Sequence, residues 1–373
     1  MKWLGVLLIA ALAGVQANAT TYDWLVMYYM PYDNDLSPLS TSITRNFIQS
    51  RINTKTVVTL QTDLQGDGGM MRYSFDASID SVRIMEENSS SARTFQDYLT
   101  WAAANFKAKH YAIVLLNHGG ALNEYGLDEF PERRWIQIDS LSEAIRIFNN
   151  QTGIGKIDLL FQQVCTRGTI ENFFEFRDVA EYTFASQDLV PAPGYYYPNV
   201  FSALDATNIK SGAQLAELIV RSEQDDMYYS YTLIDNAKWS KWGKLFDRYV
   251  KSLQGTELEI YSDSLKFISY SGQMYYDLVS VSNAIIKVGD QSVKNEFQQY
   301  TTKVLIKNLY RSTKTNRLEG YCGVSICSPF KPVIEPLDCY TLPSYLDYVR
   351  TLHAAVSARR TKSNQSKKSS EKP

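Results

Sequence analysis

Two apolar runs constrain this chain more than any other feature: HYAIVLLN at 110–117 and IDLLFQQV at 157–164. The first is almost continuously apolar from His110 to Leu116, the second from Ile157 to Phe161, as strands buried on both faces of a parallel sheet must be. Strand-like segments at Asp23–Met30, Lys55–Gln61, Arg72–Phe75 and Tyr182–Ser186 surround them, rich in β-branched and aromatic residues. Helical patterns alternate with these strands. Thr94 is placed to cap a helix running to about Lys107, Asp139 one running to about Asn149, and a third covers Thr169–Ala180. This βαβαβ rhythm predicts an α/β fold, a mostly parallel sheet flanked by helices in an α/β/α sandwich. Beyond Pro191-Ala192-Pro193-Gly194 the pattern turns helical, with helices expected at 212–226, 236–253 and 291–310 and strands near 230–235 and 323–327.

The ends read differently from the middle. Lys2, an apolar stretch from Trp3 to Val15 and Ala17-Asn18-Ala19 make residues 1–19 a cleavable export signal. The mature chain then starts at about Thr20, secreted or periplasmic. No later window reaches ~18 uninterrupted apolar residues, so stable membrane insertion is not expected. One domain is expected over 20–356, followed by a basic, Ser-rich tail at 357–373 with the composition of a disordered segment. A net charge of −2 gives no basic field for nucleic acid. Export also bears on the four cysteines. Two of Cys322, Cys327 and Cys339 could pair as a disulfide, and their spacing does not select which. Cys165 stands alone, as a thiol kept for chemistry would.

The chemistry follows from where the two apolar runs end. In open parallel sheets, ligands bind beyond the carboxyl ends of the strands. One run delivers His118-Gly119-Gly120, and the other Cys165-Thr166-Arg167-Gly168. The separation of 47 residues from His118 to Cys165 accommodates one crossover helix and a loop, so the two strands can be neighbours. A cysteine near its ordinary pKa of ~8.5 is mostly protonated at neutral pH, and a nearby histidine raises its thiolate fraction. Gly119, lacking a side chain, lets a carbonyl approach its N–H, which with that of Cys165 can form an oxyanion hole. Of three histidines, His110 lies at the remote end of its strand and His353 in a C-terminal helix. The scarcity of histidine argues against a zinc site, and Asp63–Gly68 only partly matches a calcium loop, so no metal ligands are assigned.

The segment QVCTRG at 163–168 resembles the caspase-type signature, and a wider set of motifs resembles the clostripain family of cysteine peptidases. That set comprises YMPYDNDL at 29–36, NHGG at 117–120, EFRDVAEY at 175–182, ASQ at 185–187, PAPGY at 191–195, YTLID at 231–235 and GVSI at 323–326. The resemblance implies a caspase-like fold and a peptide or protein substrate, with His118 as base, Cys165 as nucleophile and no cofactor in the chemistry. Calcium, on which some relatives depend, has no assigned place. It implies a substrate pocket at Gln163, Ser186 and Asp188. The family usually has an aspartate where Gln163 stands, so a weakened preference for basic P1 residues is expected, with Asp188 the nearby acid able to compensate. Relatives are often cut between histidine and cysteine, and the polar stretch Asn123–Trp135, read as a loop, offers Arg133 and Arg134 for such a cut. Two other functions fit the same residues: a non-enzymatic peptide-binding module, and a thiol-dependent amidase or acyl transferase.

Overall fold

The computed structural model describes residues 21–50, 55–66, 68–85, 88–129, 132–206, 208–224, 229–254, 258–285, 290–311, 319–328, 330–331, 337–342 and 344–355. Residues 1–19, expected as an export signal, and the basic tail at 357–373 lie outside the described residues. In the first half, strands β1 (Thr21–Tyr32), β2 (Thr56–Leu64), β3 (Met70–Phe75), β4 (Ile79–Ile84), β5 (Lys107–Leu116), β6 (Glu124–Asp128), β7 (Arg134–Gln137), β8 (Ile157–Gln163) and β9 (Ala180–Ser186) alternate with helices α1 (Ser37–Gln49), α2 (Ala92–Asn105), α3 (Ile138–Thr152) and α4 (Ile170–Glu175). The second half contributes α5 (Tyr197–Ala206), α6 (Gly212–Ser222), β10 (Tyr229–Asp235), α7 (Trp239–Leu253), β11 (Phe267–Tyr270), β12 (Gln273–Asp277), α8 (Leu278–Ala284), α9 (Gln291–Tyr300), β13 (Ile306–Arg311) and β14 (Ser325–Cys327).

Nine strands form one mixed sheet in the order β13-β10-β9-β8-β5-β1-β2-β3-β4. The central five are parallel, and antiparallel pairs extend both sides. Alternate residues of the central strands feed two separate cores, which is why the two diagnostic runs are apolar throughout. Val26, Tyr28, Val114 and Phe161 pack with Phe47, Phe201 and Leu215 of α1, α5 and α6. Met27, Tyr29, Ile113 and Leu160 pack with Phe95 and Leu99 of α2 and Ile145 of α3. A third core unites α4, α7, α8 and α9, where Tyr249 stacks on Phe297 at 4.9 Å between centroids. Burying each such side chain is worth about 1.5–3 kcal/mol.

Several boundaries differ from the sequence expectations. Ser91, not Thr94, caps α2, its side chain accepting from the Thr94 amide. Asp139 sits in the first turn of α3 rather than at its cap. Thr169 does cap α4, but that helix stops at Glu175, and the chain turns into β9. The helix expected over 291–310 ends at Tyr300. After a wide turn at Thr301–Leu305, the remainder becomes β13, because pairing with β10 outweighs local helix propensity.

Two carboxyls of α4 bind the chain's second half. Glu171 accepts from the Cys327 amide at 2.8 Å and from the Tyr345 hydroxyl, and Glu175 accepts from the Asp338 amide at 3.0 Å. Burial pushes the Glu171 carboxyl above the usual carboxylate range, against the lowering effect of its hydrogen bonds. A raised folded-state value means that its contribution is full at acidic pH and is lost as pH rises through that value. Glu171→Gln keeps an acceptor and removes the ionisation. In urea melts it should match wild type at pH 4.5 and gain on it towards pH 7.5. A constant gap across that range would exclude this account.

Candidate active site

Register brings the two reactive residues together. β5 and β8 are parallel neighbours with Leu116 opposite Gln163, and His118 and Cys165 each lie two residues past that pair. Both therefore leave the same edge of the sheet, at the carboxyl ends of adjacent strands. Gly119 closes the gap. A Cβ at that position would stand 2.7 Å from the Cys165 carbonyl oxygen and 3.0 Å from Val164 Cγ1, a contact that only glycine permits.

His118 is held from the loop after β1. Its Nε2 donates to Asp35 Oδ1 at 2.6 Å. Asn34, fully buried, donates to Asn117 Oδ1 at 3.1 Å and to the Leu127 carbonyl at 2.6 Å. Asn117 in turn accepts from the His118 amide and donates to the Pro31 carbonyl. The Asp/Asn-rich loop is therefore a bracket for the histidine strand end. Asp35 acquires a role that sequence reading did not assign to it, although it lay within a quoted motif.

Cys165 starts a turn that bends sharply. The next residue, Thr166, has a φ of 53°, a left-handed conformation costly for a β-branched residue, and its amide donates to the Asp188 carbonyl at 3.1 Å. The Val190 amide donates to Cys165 Sγ at 3.3 Å. Burial raises the thiol above its ordinary value. The Val190 backbone bond, the nearby Tyr270 hydroxyl and the Arg167 charge oppose that, and Asp188 reinforces it. Gly168 passes so close to β9 that a Cβ would meet the Gln187 amide nitrogen at 2.5 Å.

Arg167, 1% exposed, aims all its donors at carbonyls. Nε reaches Cys165 at 3.3 Å, Nη1 reaches Leu122 at 2.8 Å and Glu124 at 3.1 Å, and Nη2 reaches Gly120 and Ala121, each at 3.1 Å. The histidine loop and the cysteine turn are thereby bonded through one side chain.

The expected pocket residues divide. Gln163 accepts from the Tyr196 hydroxyl at 3.0 Å. Ser186 is fully buried against Ser230, their hydroxyl oxygens 3.0 Å apart. Asp188 is anchored through its backbone, its amide donating to both serine hydroxyls. The acid beside Gln163 is Glu223. A Cβ at Gly194 would lie 2.9 Å from Gln163 Nε2 and 3.1 Å from Glu223 Oε2. Glu223 Oε1 accepts from the Tyr195 amide at 2.9 Å. Glu223 is 60 residues from Gln163 and carries no local signal of this proximity.

The stretch read as a loop is instead the β6–β7 hairpin, with Tyr125, Leu127 and Ile136 buried; alternation outweighs its polar content. Arg133 and Arg134 are exposed, Arg134 pairing with Glu132 at 2.7 Å, while Phe130 and Pro131 lie outside the described residues. All four cysteines are free thiols, so the disulfide expected among Cys322, Cys327 and Cys339 is not formed. Among the described residues, Asp33, Asp63 and Asp128 are buried with ligand oxygens within 4.8 Å of one another. That all-carboxylate set suits a hard cation such as calcium.

Arg167→Met would take the donor from the Gly120, Leu122 and Cys165 carbonyls, whereas those of Ala121 and Glu124 also accept from the Glu124 and Gly120 amides. It should cost about 3–5 kcal/mol in equilibrium urea unfolding. Arg167→Lys, which keeps charge without the planar fork, should fall between. A loss below ~1 kcal/mol for Arg167→Met would show that those carbonyls find other donors.

The sequence matches the clostripain family model over residues 28–329. It is 23% identical over 140 residues to clostripain of Hathewaya histolytica, a stretch covering 32% of this chain and 26% of that protein. The chain thus spans about a quarter of that curated relative's length. Its fold is similar to that of a secreted C11 cysteine protease from Bacteroides thetaiotaomicron, solved in complex with an irreversible peptide inhibitor. That likeness has a TM-score of 0.65 and 16% identity, and covers 89% of this chain and 99% of that one. An inactive zymogen C11 protease from Parabacteroides distasonis is also similar, with a TM-score of 0.60 and 16% identity over 90% of this chain and 99% of that one.

Proposed function

The chain belongs to the clostripain family, and on that premise we propose that it is a cysteine peptidase, a hydrolase in which His118 and Cys165 cleave peptide bonds through a thioester. The observation that carries this reading is the register: β5 and β8 are parallel neighbours whose paired ends, Leu116 and Gln163, each stand two residues before one of the reactive residues, and Gly119 packs against the Cys165 carbonyl. With Nε2 engaged by Asp35, the His118 ring has Nδ1 available as the base. His118 takes the thiol proton, and sulfur adds to the substrate carbonyl carbon. The oxyanion is met by the N–H groups of Gly119 and Cys165, each such donor worth ~3 kcal/mol of barrier. Collapse breaks the C–N bond, and His118 returns the proton to the leaving amine. Water, deprotonated by His118, then hydrolyses the thioester.

No cofactor enters these steps. A structural calcium ion would find its carboxylate ligands at Asp33, Asp63 and Asp128. The peptide inhibitor in a structural relative supports a peptide substrate here. Export is supported by the signal-like residues 1–19 and by secreted relatives. Among the described residues no helix is long and apolar enough to cross a membrane. An amide at Gln163 weakens a basic P1 preference, and the proximity of Glu223 supports it, rather than Asp188, as the carboxylate that sustains what remains. Self-cleavage after Arg133 or Arg134 would draw on that same pocket.

Cys165→Ala and His118→Ala should each lower kcat/KM on peptide substrates by about 10³-fold or more, with little change in Tm. Turnover by a clean Cys165→Ala preparation would sink the assignment.

Glu223→Gln should slow cleavage of P1-Arg substrates by roughly tenfold relative to P1-Gln substrates, whereas Asp188→Asn should not change that ratio. Terminal sequencing of the exported protein should find a start near Thr20. It should also find a cut after Arg133 or Arg134 that is weakened in Glu223→Gln and missing in Cys165→Ala. Cutting that persists in Cys165→Ala would assign it to another protease.

A further inference from the structure

The segment that leaves β9 runs back along the cysteine turn and brings a backbone amide to the sulfur. The Gly168 amide donates to the Ser186 carbonyl at 2.6 Å, and the Thr166 amide to the Asp188 carbonyl at 3.1 Å. Two residues forward on one segment match two residues back on the other, as in an antiparallel ladder. A third rung would set Val190 against Val164. Instead the Val190 amide donates to Cys165 Sγ at 3.3 Å, and the Val190 carbonyl oxygen stands 3.8 Å from the same sulfur. Val190 is held in that position from three sides. The Asp188 amide donates to the Ser186 and Ser230 hydroxyls at 3.2 and 3.1 Å. The Val190 side chain packs against the core that contains Tyr32 and Phe161. Pro191, the next residue, restricts Val190 to extended backbone.

We propose that the N–H of Val190 is a catalytic group: a fixed backbone donor that holds the Cys165 sulfur as thiolate before attack. The inference rests on the dyad reading and deepens it. A neutral thiol gains little from an amide donor, whereas a thiolate accepts a charge-assisted bond from it. The Val190 carbonyl favours the neutral thiol, which can donate to it, but at 3.8 Å that contact is the weaker of the two. The charged and titratable groups facing this sulfur are the Arg167 guanidinium, the Asp188 carboxylate and the phenols of Tyr32 and Tyr270, with His118 at the end of the neighbouring strand. Burial opposes ionisation of the thiol, and the Val190 bond is the largest effect working against burial. In the step itself the thiol proton passes to His118. The sulfur lone pair is shared with the Val190 N–H until it forms the S–C bond, and the amide keeps its proton throughout.

Alkylation of Cys165 by iodoacetamide as a function of pH, read by mass mapping of the Cys165 peptide, isolates this effect from turnover. Val190→Pro removes the N–H, and losing a donor to the thiolate raises the thiol pKa, so the curve should move up by about one pH unit. On the acidic limb that is roughly tenfold slower alkylation, and kcat on peptides should fall similarly at the same pH with little change in KM. Val190→Ala keeps the N–H and should restore the wild-type curve. Superimposed curves for Val190→Pro and wild type would overturn the proposal. So would faster alkylation in Val190→Pro, which would make residue 190 a cover over the sulfur, or an equal displacement in Val190→Ala, which would assign the effect to the side chain. Should Val190→Pro not fold, NMR of the unaltered backbone decides. The Val190 amide proton should shift downfield as Cys165 ionises, a step missing from Cys165→Ala, and a resonance that titrates alike in both would overturn the proposal. Because both measurements read the thiol directly, turnover surviving in Cys165→Ala would remove the dyad reading while the donor bond is judged on its own titration.

Discussion

The candidate site depends on a buried guanidinium that is paired with backbone alone. Taking a cation out of water costs several kcal/mol unless each donor is met, and among the described residues no carboxylate lies within ion-pair distance of Arg167. Its donors are met by carbonyls of Gly120, Ala121, Leu122, Glu124 and Cys165. Those carbonyls belong to the histidine loop and to the cysteine turn, so the loops cannot part without stranding either the cation or the carbonyls. The charge left uncancelled also lies near the sulfur and lowers the thiol pKa against burial. One side chain therefore sets both the geometry and the local potential.

The turn that aims Arg167 inward is strained for the same end. After β8 the chain must reverse quickly enough to bring residue 167 back beneath residue 165, and Thr166 takes a left-handed conformation to do so. The cost, of order 1–3 kcal/mol, persists because the Thr166 and Gly168 amides are both bonded to the end of β9, at the Asp188 and Ser186 carbonyls. At Gly168 any side chain would collide with Gln187. The signature is thus read physically as a nucleophile, a strained hinge, a cationic tie and a residue with no Cβ.

The parts of this arrangement legible in the sequence were those written locally. Continuous apolar runs identified β5 and β8, and the residues that follow them are His118 and Cys165, the pair proposed for the chemistry, because parallel strands display their carboxyl ends. Patterns carried by only a few residues were misread. Ser91 and Thr94 both qualify as caps, and only the backbone chooses between them. Tyr125, Leu127 and Ile136 alternate within a segment so rich in charge that it read as a loop. Long-range pairing decided the rest. β13 is a strand because β10 lies beside it, Glu223 comes to flank Gly194 together with Gln163 because α6 packs against the face of β8 that carries Leu159 and Phe161, and Gln273 reaches the Leu122 amide through a hairpin. None of these has a trace in its own neighbourhood of sequence.

The same long-range bonding decides whether the second half is an appendage or part of the site. Asp277, wholly buried at the end of β12, accepts from the Cys322 amide at 2.6 Å, the Ser280 amide at 2.8 Å and Gln187 Nε2 at 3.1 Å. Gln187 also donates to Ser325 Oγ at 3.0 Å, and it lies between Ser186 and Asp188, the segment expected to wall the substrate pocket. A buried carboxylate tolerates desolvation only when such donors surround it. Its donors come from β9's end, from α8 and from the chain before β14. Separating the halves would strand that charge, just as opening the two loops would strand Arg167. One buried anion and one buried cation, both satisfied chiefly by backbone, tie together the segments around the site, and the β11–β12 hairpin is bonded to both sets through Gln273 and Asp277.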